Sequence, residues 1–238
     1  MTATTVEAQA AAVKVATPDS GLRFTTALKY VCRDTKARYV AEKYREILGG
    51  SVLDVGCDAM RLKSLVARPE KYVGVDFKEP ADRIVDLDRQ ELPFAERSFD
   101  TVIATDVLEH LERIHDVFDA LCRISARHVL ISLPAPINSL LQDIAAGAPM
   151  EAEGARATGW KKYYGLPVDR PGDRHRWFFG FEDAERFVRI RGQRNGFGVA
   201  QVDAEWIGCG GWKMCPERVA QANYRLGAMW CVLERGEK

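Results

Sequence analysis

The chain has 238 residues, with 34 Lys+Arg set against 34 Asp+Glu and a formal net charge of zero. That balance excludes a protein that grips nucleic acid through a broad phosphate-neutralising surface. No apolar run reaches the ~18–20 residues of a membrane span. With 47% hydrophobic and 29% charged residues, the composition is that of a globular protein, and the length predicts one domain carrying an insertion.

Residues 1–20 are rich in Ala and Thr and lack both a basic start and an apolar core. They predict a flexible tail rather than a targeting peptide, followed by a single domain over 21–238 in a cytoplasmic setting. Ala37, Val40, Ala41, Tyr44, Ile47 and Leu48 follow helical spacing, and Gly49-Gly50 predicts the stop. Apolar, β-branched runs at 51–56, 71–76, 83–86, 98–104 and 128–133 predict strands buried on both faces of a parallel sheet. Only six residues, 77–82, separate the second and third runs, so that connection is a bare loop or the third strand is vestigial.

Asp106 and Glu109 have the spacing of a capping box. A helix is predicted from there, with Val107, Leu108, Leu111, Ile114, Phe118 and Leu121 in one stripe. Residues 181–191 predict another helix, stopped by Gly192, and 198–206 and 228–234 predict closing strands. Strands alternating with helices make an open α/β sheet the expected architecture. Residues 134–180 exceed a minimal α/β connection. Their aromatic cluster, Trp160, Tyr163, Tyr164, Trp177, Phe178 and Phe179, reads as a lid over a site.

The chemistry-bearing element is Val52-Leu-Asp-Val-Gly56, with Asp76 at the end of the next strand. A strand ending in glycine lets a ligand approach the backbone closely, and a following helix would aim N–H groups at the same space. Asp76 can accept both hydroxyls of a ribose in the crevice beyond the strand ends. These features imply a nucleoside-containing cofactor. The loop Gly56-Cys-Asp-Ala-Met60 has one glycine, so it lacks the G-x-G-x-x-G that a pyrophosphate needs, and Asp54 and Asp58 would repel one. A cationic ligand carrying a sulfonium, an ammonium and a ribose suits those acids.

Val52-Leu-Asp-Val-Gly-Cys57, Tyr72-Val-Gly-Val-Asp76, Asp86-Leu-Asp88 with Leu92-Pro-Phe94, and the run 98–111 together resemble class I S-adenosylmethionine-dependent methyltransferases. The type 11-like bacterial enzymes with small-molecule or glycan substrates are the similar subgroup. The likeness is close over 51–133 and weaker over the last two strands. It implies a Rossmann-like, mostly parallel seven-stranded sheet with the lid insertion, 134–180, after the fifth strand. It also implies S-adenosylmethionine as donor and S-adenosylhomocysteine as product.

By the same resemblance Asp76, with Phe77 beside it, binds the ribose. Asp86 and the backbone N–H of Leu87 meet the adenine. Asp54, Gly56 and Cys57 lie under the methionine part, while Thr105 and Asp106 floor the site near the sulfonium. The second and third motif glycines are replaced by Asp58 and Met60. That departure keeps open a non-catalytic partner that has lost the donor, whereas the missing glycines argue against a nicotinamide oxidoreductase.

Two catalytic candidates remain. His110 lies where a base could take a proton from the acceptor, or simply packs a helix start. His175, in Arg174-His-Arg-Trp-Phe-Phe179, could face an acceptor, or belong to a loop anchored by Trp177 and Phe178. The six cysteines form no CxxC pair, and Cys209 with Cys215 offers no second ligand pair, so no metal is expected. Tyr39-Val-Ala-Glu-Lys43 matches a reductase YxxxK in the wrong place and reads as chance. The expected partner is a small-molecule or sugar acceptor, hydroxyl before amine, with no nucleic acid or membrane, and a monomer or homodimer.

Overall fold

The computed structural model describes residues 30–145, 147, 174–206 and 226–236. In chain order these give α1 (Arg33–Lys43), β1 (Val52–Val55), β2 (Tyr72–Asp76), β3 (Arg83–Ile84), β4 (Phe99–Thr105) and α2 (Ile114–Ile124). They continue with β5 (Ser125–Leu133), α3 (Pro136–Ala145), α4 (Phe181–Arg194), β6 (Phe197–Trp206) and β7 (Leu226–Arg235). The seven strands form one sheet in the order β3-β2-β1-β4-β5-β7-β6. Strands β1 to β5 run parallel, and β7 lies antiparallel to both its neighbours.

The continuous apolar runs have the cause the sequence implied: helices cover both faces. Leu53, Val102 and Ile131 pack with Phe118 and Leu121 of α2 and Val188 of α4 on one face. Val52, Ile103, Leu130 and Trp230 pack with Val40 and Tyr44 of α1 on the other. The α/β sheet is therefore as expected, and β3 is a two-residue exposed edge reached by the bare loop 77–82.

Four local expectations are corrected. Helix α1 occupies Arg33–Lys43 rather than 37–48, and the chain turns through 44–48 instead. No helix begins at Asp106, whose φ of 57° is left-handed, where an N-cap requires extended backbone. Its carboxylate is taken by Lys36 and Ser132, Leu108–His110 form a single 3-10 turn, and α2 starts at Ile114. The segment after β1 is a run of short turns (Met60 N–H to Cys57, Lys63 N–H to Met60), because left-handed Asp58 and Met60 interrupt helical geometry. Gly192 does not stop α4, which runs to Arg194. A Cβ there would lie 3.3 Å from Leu233, so this glycine serves packing against β7. The tail at 1–20, Cys209 and Cys215, and the lid other than 134–145, 147 and 174–180 lie outside the described residues.

Helix α1 is locked to the far edge of the sheet by one buried acid. Asp203 of β6 accepts from the Tyr44 hydroxyl at 3.0 Å and Gln201 Nε2 at 2.7 Å, with Lys43 Nζ 3.0 Å away. Tyr44 also stacks on Trp230, with centroids 5.8 Å apart. Removing one partner from such a set strands the rest in a dry environment. Asp203→Ala is expected to lower the unfolding free energy by about 3 kcal/mol and Tyr44→Phe by about 1 kcal/mol, read from urea unfolding midpoints.

Candidate functional site

Strands β1, β2 and β4 end on one side of the sheet, and the chain leaves β1 and β4 in left-handed backbone. Gly56 has φ 77°, Asp58 48°, Met60 51° and Asp106 57°. At Gly56 a Cβ would also sit 2.2 Å from Val107 Cγ2, so conformation and space both require glycine. Asp58 and Met60 hold glycine-like conformations without being glycine, at a cost of ~1–2 kcal/mol each. Local contacts offset it. The Asp58 N–H donates to Asp76 Oδ2 at 2.9 Å, and its carboxylate pairs with Arg33 at 3.1 Å and with Arg61. Gly74 of β2 leaves room beneath: a Cβ there would meet Cys57 Sγ at 2.8 Å and Met60 Sδ at 2.9 Å.

The acids at the strand ends have distinct environments. Asp76 is 7% exposed, and its Oδ1 is buried without a hydrogen-bond partner among the described residues. A buried acceptor left this way is costly unless a ligand donates to it. Asp54 lies within β1, where it accepts from the Tyr72 hydroxyl. Burial pushes its pKa up to about 6, against the opposing pull of Tyr72 and Lys36. Burial, with Asp54 and Asp76 nearby, likewise raises Cys57 to about 12, so its thiol is inert. At Asp106 burial pulls upward too, but Lys36 at 2.6 Å, the Ser132 hydroxyl at 2.5 Å and His110 hold the carboxyl below its ordinary range.

A cavity of about 410 Å³ opens between α1 and the strand ends. It gathers the predicted residues Asp54, Gly56, Cys57, Thr105, Asp106, His110 and His175 on its wall. Asp76 is not on this wall, but its Oδ2 accepts the N–H of Asp58, which is. Phe77 is 69% exposed. Asp86 and Leu87 do not line this cavity. The Asp86 carboxylate accepts from the Asp88 N–H and lies 3.6 Å from Arg89. Leu87 faces a separate cavity of about 680 Å³ with Leu92 and Arg113.

His110 and His175, rivals in the sequence, are neighbours with ring centroids 4.5 Å apart at 82°. The segment carrying His175 is tied down by Arg176 N–H to the Glu109 carbonyl (2.8 Å) and by Trp177 Nε1 to the Leu111 carbonyl (2.7 Å). Trp177 therefore anchors the chain, as the packing alternative expected, and His175 lies on the cavity wall. Sequence reasoning missed Arg33, Lys36, Arg61 and Glu109. Arg33 and Lys36 are one turn apart on α1, but which way that face points is decided only by docking on the sheet.

A family model described as a methyltransferase domain matches residues 24–195. Among solved structures, an S-adenosylmethionine-dependent methyltransferase from Archaeoglobus fulgidus is similar at 15% identity and TM-score 0.53, covering 86% of this chain and 95% of that one. One from Mesorhizobium loti is similar at 19% identity and TM-score 0.50, covering 84% and 98%. The cyclase SpnF is also similar, at 16% identity and TM-score 0.50, covering 86% and 81%. At these identities the likeness is one of fold. No curated protein matches the sequence.

The Asp54 environment has a testable consequence. Its carboxyl titrates near 3.8 when unfolded and about 6 when folded, so the folded state holds the proton more tightly. The stabilisation is complete below pH ~4 and is lost as pH rises through about 6, amounting to at most ~3 kcal/mol. Unfolding free energies measured at pH 4 to 7 should fall across that window in the parent and flatten in Asp54→Asn.

Proposed function

The chain belongs to the methyltransferase-domain family and is an S-adenosylmethionine-dependent enzyme, and from that premise we propose that it methylates a hydroxyl of a small-molecule or sugar acceptor, with an amine as second choice. The observation that carries the donor assignment is the Asp76 carboxylate, one oxygen engaged by Asp58 and the other buried without a donor among the described residues. A ribose diol presents two hydroxyl donors to such an oxygen. Left-handed Asp58 and Met60 keep the backbone course that glycines would give, which argues against loss of the donor through the altered motif.

Other residues take roles around that anchor. Gly56 lets the donor lie against β1, and Thr105 and Asp106 floor the cavity. Arg33 and Arg61, already paired to Asp58, supply positive charge for a carboxylate. Asp86 and Leu87 follow Val85, whose N–H donates to the Asp76 carbonyl at 2.8 Å, and they are proposed at the adenine, with Phe77 over the ribose. Bound here, S-adenosylmethionine supplies an electrophilic methyl carbon: the acceptor oxygen attacks it, the carbon–sulfur bond breaks with its electron pair going to sulfur, and S-adenosylhomocysteine remains.

His110 and His175 activate the acceptor, taking the hydroxyl proton as the oxygen attacks. A hydroxyl is preferred because it needs such a proton acceptor. No helix among the described residues is long and apolar enough to cross a membrane. A small acceptor in the cytoplasm, met by a monomer or homodimer without nucleic acid or membrane, completes the proposal.

Thermal unfolding with S-adenosylmethionine, S-adenosylhomocysteine and NAD in parallel tests the donor. At ~100 times its dissociation constant a ligand adds ~2.7 kcal/mol of stability. Both sulfur nucleosides should raise the melting temperature, NAD should not, and Asp76→Ala should abolish the response. A parent that ignores both nucleosides, or an Asp76→Ala that responds like the parent, overturns the reading. Asp58→Gly should retain the response and Asp58→Val should lose it, because a β-branched residue is excluded from left-handed backbone.

A further inference from the structure

We propose that Glu109, His110 and His175 form a site for one divalent transition-metal cation at the acceptor end of the cavity. An oxygen of the acceptor would complete its coordination. This deepens the methyltransferase reading and rests on it for the acceptor's part, but the cation site itself stands on geometry alone. The sequence-based expectation of no metal came from the cysteines, and none of these three residues is a cysteine.

One carboxylate oxygen of Glu109 and one ring nitrogen of each histidine lie within 4.8 Å of one another. Two imidazoles with one carboxylate make a donor set that catalytic zinc and non-haem iron centres use while keeping positions open. Bonds of ~2.0–2.2 Å place ligand atoms about 3.3 Å apart, so side-chain rotation moving these atoms by about an ångström closes the set.

The backbone that must hold still is already fixed. Arg176 N–H binds the Glu109 carbonyl at 2.8 Å, and the Arg176 guanidinium binds Glu112 at 2.8 Å. His110 Nδ1 lies 3.4 Å from the Arg174 carbonyl, and its Nε2 lies 3.8 Å from Glu109 Oε1. An N–H aimed at a backbone carbonyl fixes the tautomer with the lone pair on Nε2, the outer arrangement that orients ligating histidines. The Glu109 side chain is 1% exposed and His175 is 7% exposed, while the His110 side chain is 31% exposed, so two ligands are withdrawn from water and the third opens to the cavity.

Imidazole donors select zinc, iron or cobalt over magnesium and calcium, which prefer all-oxygen sets. With a cation in place the imidazoles are neutral ligands rather than the proton acceptors they are in the cation-free site. A hydroxyl bound to such a cation loses its proton to solvent water near neutral pH, as zinc-bound water does at ~7. The oxygen keeps the electron pair with which it attacks carbon.

The test uses untagged full-length protein, stripped with EDTA and freed of chelator. It is titrated with Co²⁺ and followed by visible absorption, then challenged with Zn²⁺ and separately with Mg²⁺. One equivalent of Co²⁺ should give a saturable d–d spectrum that Zn²⁺ displaces and Mg²⁺ does not. His175→Ala and Glu109→Gln, checked for folding by their urea midpoints, should each weaken binding at least tenfold, and Asp76→Ala should bind Co²⁺ like the parent. Absence of a one-to-one cobalt spectrum in the parent, or parent-like affinity in a folded His175→Ala, overturns the site. Cobalt binding without any response to S-adenosylhomocysteine would overturn the donor assignment and leave the cation site standing; the reverse result would remove only the cation.

Discussion

Backbone in the left-handed region shapes the crevice at the strand ends. β1 ends against β2 and β4, so the chain must turn away at once without filling the space above its own terminus. Gly56, Asp58 and Met60 accomplish that turn, and Asp106 repeats it after β4. For L-residues other than glycine this conformation costs ~1–2 kcal/mol per position. It persists because Asp76 accepts the Asp58 N–H, two arginines neutralise the Asp58 carboxylate, and Gly74 lets Met60 settle against β2.

The charge distribution follows from that geometry. A chain with no net charge places Asp54, Asp76 and Asp106 at adjoining strand ends and answers them from α1 and the loop after β1. Lys36 is the clearest case, since it holds Asp106 ionised while lying 5.4 Å from the Trp230 ring. Helix α1 can present Arg33 and Lys36 there because Asp203 grips its C-terminal end through Tyr44 and Lys43. A contact at the far edge of the sheet thereby orients the cations of the site.

Much of this was legible in the sequence. Strands buried on both faces read as continuous apolar runs, so β1, β2, β4 and β5 stand out, as does the α/β order. The strand-end acids were legible too, because their positions follow from where the runs stop. What failed were inferences from local spacing overridden by tertiary contacts. Asp106 and Glu109 have capping-box spacing, yet Lys36, seventy residues away in sequence, takes the Asp106 carboxylate instead. Gly192 resembles a stop because packing against Leu233 leaves no local trace. The pairing of His110 with His175 spans a long insertion, and no periodicity links them. Replacement of glycine by Asp58 and Met60 kept loss of the donor open as an alternative, and nothing in the spacing shows that both residues hold left-handed backbone.

The central claim is that the crevice at the ends of β1 and β2 holds the donor's nucleoside, with Asp76 as its anchor. A crystal structure of the protein grown with S-adenosylhomocysteine tests it most directly. The account predicts ribose hydroxyl oxygens within ~2.5–3.0 Å of the Asp76 carboxylate, with the Asp58 N–H still bound to Oδ2. A nucleoside bound elsewhere, with Asp76 Oδ1 still lacking a donor, would contradict it.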